Sequence, residues 1–104
     1  MDPKTAADLA DAVLLDVREH DEWQAGHAPT AVHIPMGELG RRQEELPAEQ
    51  TIVTICRSGN RSAAVVQALT RAGYDAHNLD GGMYEWVAAG LPIVQDDGTP
   101  GHVA

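Results

Sequence analysis

The chain has 104 residues, 16 of them acidic and 7 basic, with a formal net charge of −9, no Phe and one Cys. That length allows one domain around a single core, and the acidic balance disfavours nucleic acid or an anionic membrane surface as a partner. No apolar run is long enough to span a bilayer, one cysteine cannot form an internal disulfide, and Met1-Asp2-Pro3 lacks the pattern of an export signal, so a reducing, cytoplasmic compartment is expected.

Asp2 and Pro3 read as the N-cap and first position of a short helix over Lys4 to Asp11, with Ala6, Leu9 and Ala10 on one face. Ala12 to Val17 is a nearly continuous apolar run, the pattern of a strand covered on both faces, and it ends in the polar Asp16 and Arg18. Polar residues at a strand's carboxyl end are where open α/β sheets place their functional crevice. Glu19 to Ala25 reads as a helix closed by Gly26, and Arg18 and Glu22 are spaced to pair. Ala31 to Ile34 is the next strand, stopped by Pro35, and Gly37 to Leu46 a polar helix or helical turn anchored by Leu39 and Leu46. Thr51 to Ile55 is the central strand.

The helix after it, Ala63 to Ala72, is strongly apolar, which predicts packing over much of its girth. Tyr74 to Leu79 gives a further strand, Gly81-Gly82 a turn, Met83 to Ala89 a helix capped by Gly90, and Leu91 to Val94 an edge strand. Gln95 to Ala104, with its Gly, Pro and Asp, reads as a loose tail. The alternation of strands and helices argues for an α/β fold: a mainly parallel sheet of four to five strands with helices on both faces, forming a domain over residues 1–94 with a tail over 95–104.

Between the central strand and its helix lies Cys56-Arg57-Ser58-Gly59-Asn60-Arg61-Ser62. Strand, short polar loop with one Gly, then helix is the layout of an anion cradle, in which backbone N–H groups turn inward and the helix adds the positive end of its dipole. A thiol held there ionises more easily than a free one, so Cys56 reads as a nucleophile; the alternative is a buried structural thiol. Arg61 stands where it braces the loop or pairs with a carboxylate such as Asp16. Arg57 faces the pocket mouth to meet an anion, or is a solvated arginine. Ser58, Gly59, Asn60 and Ser62 supply amides and hydroxyls, with Gly59 free to take positive φ.

The loop string resembles the active-site loop of the rhodanese (thiosulfate sulfurtransferase) family. In the protein tyrosine and dual-specificity phosphatases Cys and Arg are one residue further apart, whereas four residues separate Cys56 from Arg61 here. The resemblance extends over roughly Leu9 to Val94: Asp16-Val17-Arg18 with Glu22-Trp23 and Gly26-His27, then Ala31-Val32-His33-Ile34-Pro35, then the loop, then Leu79-Asp80-Gly81-Gly82 with Trp86, Gly90 and Pro92. The strand that usually opens a family domain is short or absent.

The resemblance implies a two-step reaction. Cys56 takes a sulfur atom from a small anionic donor such as thiosulfate, becomes a persulfide, and passes the sulfur to cyanide, a thiol or a partner protein. Arg57, Ser58, Gly59, Asn60, Arg61 and Ser62 would bind the substrate, with Asp16 and Arg18 as structural braces. No cofactor is implied. The alternatives are a persulfide carrier or sensor that does not turn over, and a Cys-dependent phosphatase or arsenate reductase. Trp23 and Trp86 read as core or pocket-wall residues and His33 as a hydrogen-bonded structural one; the five His lack metal-ligand spacing, so no metal site is expected.

Overall fold

A computed structural model describes residues 1–104. The elements in order are α1 (Pro3–Asp8), β1 (Val13–Asp16), α2 (His20–Ala25), β2 (Val32–His33), α3 (Leu39–Arg42) between two 3-10 turns, β3 (Ile52–Ile55), α4 (Asn60–Arg71), β4 (Ala76–Asn78) and α5 (Gly82–Ala88). The four strands form one parallel sheet in the order β2-β1-β3-β4. The expected α/β architecture is present with four strands.

Alternation along the strands feeds two cores. Leu15 and Ile52 point to the face covered by α3 and α4, where they meet Leu39, Leu46, Val65 and Leu69. Leu14, Val53 and Ile55 point to the other, where they meet Ala6 of α1 and Met83 and Trp86 of α5. Because both faces are covered, β3 is buried at every position and reads in the sequence as a β-branched run that is apolar except for Thr54, whose hydroxyl donates to the Ser62 carbonyl.

Three expectations change. Leu91 to Val94 does not join the sheet; only Val94 pairs, in isolated antiparallel bridges to His27 and Pro100. Residues 95–104 are not loose. Gly101 N–H donates to the Ile93 carbonyl and His102 N–H to that of Ala25, and Val103 packs on the α5 side of the core. A crossing this close requires glycine: a Cβ on Gly26 would lie 2.6 Å from the His102 nitrogen. Finally, α4 begins at Asn60 and buries only Ser62, Val65 and Leu69, leaving Ala63, Ala64 and Ala68 exposed. Alanine's high helix propensity places it on a solvated face as readily as in a core.

No helix is long and apolar enough to cross a membrane.

Candidate active site

β3 delivers Cys56 to the carboxyl end of the sheet, where the chain leaves the strand and turns into α4. The residue is 1% exposed, and its Sγ accepts a hydrogen bond from the Gly59 N–H at 3.0 Å, with the Ser62 hydroxyl 3.2 Å away. Gly59 adopts φ +104°, a conformation that strains any side chain, and this reversal brings its own N–H back over the sulfur. Burial pushes the Cys56 thiol up, but the Ser62 hydroxyl and the N–H groups of Ser62, Gly59 and Ser58 outweigh it and hold the thiol below its ordinary value.

The loop is also held from outside. The first turn of α5 presents its free N–H groups to the loop: Met83 donates to the Cys56 carbonyl at 2.8 Å and Tyr84 to the Arg57 carbonyl at 3.2 Å. In a trans peptide the C=O and N–H point in opposite directions. Drawing those two carbonyls toward α5 therefore turns the N–H groups of Arg57 and Ser58 away from it, and that of Ser58 faces the sulfur. Gly82 makes the approach sterically feasible, since a Cβ there would lie 2.4 Å from the Cys56 oxygen. The Gly81-Gly82 turn is thus part of the loop's support.

The two loop arginines differ. Arg61 grips Glu22 of α2 with both forks, Nη1 to Oε1 at 2.6 Å and Nη2 to Oε2 at 2.8 Å. This contact lowers the Glu22 carboxyl to about 2, against burial that raises it, and the Glu19 N–H adds a third donor. Arg61 is correspondingly raised. Arg57 is exposed and forms no ion pair, which leaves its charge free on the outer surface of the loop. Ser58 and Asn60 are exposed beside it, while Gly59 and Ser62 are buried against the sulfur.

Two expected pairings are replaced. Arg61 does not reach Asp16, and Arg18 does not pair with Glu22. Instead Arg18 turns back on Asp16, Nη2 to Oδ2 at 2.8 Å, with both side chains 0% exposed, and donates from the same nitrogen to the Gly26 carbonyl at 2.7 Å. The Asp-x-Arg spacing at a strand end favours this compact chelate over a helical pair, because Arg18 precedes the first turn of α2. Trp23 is half-buried and stacks within the fold, its ring 3.6 Å from that of His27 and 4.7 Å from that of His33 in near-parallel planes. His33 is hydrogen-bonded as expected, to the Arg18 carbonyl at 2.7 Å. Trp86 is a core residue.

Asn78 at the end of β4 was not singled out by the sequence, yet its side chain contacts both Ser62 and Gly59. Its signal was there: a polar residue at a strand's carboxyl end, in register with β3. The largest cavity, about 430 Å³ between α1 and the Trp86 to Pro92 region, is mostly apolar and shares no residue with the loop.

Comparison with known proteins agrees with this geometry. Residues 2–89 match the Rhodanese-like domain family. The chain is 43% identical over 98 residues to an HTH-type transcriptional regulator of Mycobacterium tuberculosis, covering 91% of this chain and 42% of that protein. It is 39% identical over 93 residues to a protein named sulfurtransferase from Allochromatium vinosum, covering 88% and 87%. The crystal structure of a rhodanese-related protein from Thermoplasma volcanium superposes with a TM-score of 0.87 at 30% identity, covering 92% of this chain and 97% of that one. Through the loop, its support from α5 and these likenesses, the chain belongs to the rhodanese-like domain family.

Proposed function

We propose that the protein is a sulfurtransferase in which Cys56 carries the transferred sulfur as a persulfide. The observation that carries this reading is the sulfur itself, the only thiol in the chain, set against Gly59 N–H and the Ser62 hydroxyl and held below the ordinary thiol range. The Cys56 thiolate attacks the outer sulfur of a thiosulfate-like donor. The donor's S–S bond breaks, sulfite departs with the electron pair, and a new S–S bond forms on Cys56. Cyanide or a thiolate then attacks the outer sulfur, forming thiocyanate or an acceptor persulfide and returning the Cys56 thiolate. With no second cysteine, the sulfur leaves to an outside acceptor.

The loop amides are the fixed dipoles that hold negative charge on sulfur through both steps. Arg57, unpaired on the outer surface of the loop, meets the donor's sulfonate. Arg61 is occupied by Glu22 and shapes the loop rather than binding the donor. A reducing, cytoplasmic setting suits a lone reactive thiol.

Incubation with thiosulfate followed by intact mass measurement tests the reading. A gain of one sulfur atom, absent in Cys56→Ser, is the expected result; no gain, or a gain that survives that substitution, overturns it.

A second reading, a persulfide carrier or sensing module, is favoured by the likeness to part of a transcriptional regulator. It predicts the same loading with no appreciable turnover to cyanide or small thiols. A phosphatase or arsenate reductase shares the thiolate-and-arginine logic, and Cys56-dependent hydrolysis of an aryl phosphate would favour it instead.

A further inference from the structure

Behind the loop a single hydroxyl proton lies between competing acceptors. Ser62 Oγ is 3.2 Å from Cys56 Sγ, 3.3 Å from the Gly59 carbonyl and 2.5 Å from Asn78 Oδ1. A serine has one proton to donate. The orientation of the Asn78 amide is set by its other end, where Nδ2 donates to the Gly59 carbonyl at 3.0 Å and leaves Oδ1 facing Ser62. Gly59 in turn supplies the backbone N–H that reaches the sulfur. Asn78, at the carboxyl end of β4, thus touches both residues that donate to Sγ, the Ser62 hydroxyl through one end of its amide and the Gly59 carbonyl through the other.

We propose that Asn78 is a positioning residue for Cys56, competing with the sulfur for the Ser62 proton while steadying the Gly59 turn. The inference rests on reading Cys56 as the nucleophile. In the thiol state Sγ–H donates to Ser62 Oγ and Ser62 donates onward to Asn78 Oδ1, so every group in the chain is paired. On ionisation the sulfur proton leaves to solvent, and the Ser62 hydroxyl turns toward the thiolate, which as an ionised acceptor is the stronger one. Asn78 Oδ1 then loses its donor in a partly buried position, and that loss opposes ionisation. Once sulfur is loaded, the negative charge sits on the outer atom beyond Sγ, and the Ser62 proton returns to Asn78. The residue therefore favours the resting thiol and the loaded persulfide over the free thiolate between them.

The rate of Cys56 alkylation by iodoacetamide, followed by intact mass as a function of pH, reads the ionisation midpoint without any sulfur donor. Its outcome is therefore separate from whether the protein transfers sulfur. In Asn78→Leu the midpoint moves down, giving about threefold to fivefold faster alkylation on the acid limb. The Gly59 carbonyl keeps the Ala63 N–H as a partner in that variant, at 3.2 Å, so the turn retains an anchor. In a Ser62→Ala background the same substitution leaves the midpoint where it was, because the contested proton is gone. A residue that only braced the turn would act the other way: its loss would withdraw the Gly59 N–H and raise the midpoint. An unchanged or raised midpoint in Asn78→Leu, or a downward shift that persists beside Ser62→Ala, overturns the proposal. Asn78→Ala, which adds no bulk, carries the same expectation and replaces Asn78→Leu if that variant does not melt cooperatively.

Discussion

Two arginine–carboxylate pairs stand near the carboxyl end of the sheet, Asp16 with Arg18 and Glu22 with Arg61, and their surroundings differ. In the first, both side chains are 0% exposed and Arg18 also holds the Gly26 carbonyl. In the second, Glu22 is 12% and Arg61 35% exposed, and the arginine belongs to the loop that carries Cys56. A sealed pair has no water to replace a missing partner, so it behaves as scaffold. A pair at the mouth can exchange its contacts with solvent and acts as a latch between α2 and the loop. Similar chemistry thus serves two purposes according to its dielectric surroundings.

The sharpest way to break this contrast is Arg18→Met. The substitution leaves the Asp16 carboxylate buried with the residue-18 backbone N–H, at 3.1 Å, as its remaining donor. A loss of about 3–5 kcal/mol in urea unfolding is expected, a large fraction of the 5–15 kcal/mol typical of a domain. A loss no larger than that from a surface pair would mean that the two sites do not differ in kind.

The contrast also marks how far the sequence could be read. The order of strands and helices was legible because hydrophobic period and Gly and Pro punctuation act locally, and Cys56 to Ser62 was legible as a contiguous string. Pairings across the fold were not. Glu22 and Arg61 are 39 positions apart, and nothing in either segment says that α2 and the start of α4 meet. Gly82 could be placed in a turn, but its closeness to the Cys56 carbonyl depends on how α5 docks. The segment after Val94 has the composition of a loose tail, and what fixes it is backbone hydrogen bonding to Ile93 and Ala25, which composition does not encode.

The latch has a pH signature that the scaffold comparison sharpens. Arg61's hydrogen bonds lower the Glu22 carboxyl from 4.5 to about 2 despite burial. A depressed carboxyl contributes stability that is fully present above its unfolded value and lost as pH falls through its folded one. The stability difference between wild type and Glu22→Gln is therefore expected to be about 1 kcal/mol at neutral pH, discounted for the solvent that reaches Arg61. It should shrink steadily from about pH 5 to about pH 2, as followed by urea unfolding at stepped pH. A difference that stayed constant across that window would show that Glu22 contributes through packing and not through its charge.

Arg57→Gln should produce the smallest change in folding and thereby isolates what a loop arginine does when no carboxylate holds it. Arg57 is exposed and unpaired, so its replacement removes no contact the fold depends on, and the melting temperature should not move. Donor capture should. A sulfonate that loses one charge-assisted partner requires about tenfold more thiosulfate for half-maximal loading of Cys56, and added salt should weaken wild type toward the variant by screening the same charge. The fully loaded mass should be reached in both, because the attacking sulfur and its amides are untouched. If Arg57→Gln instead lowered the melting temperature as much as Arg61→Gln, the free arginine would be bracing the loop as well, and the division between a latch that shapes the cradle and a cation that fills it would fail.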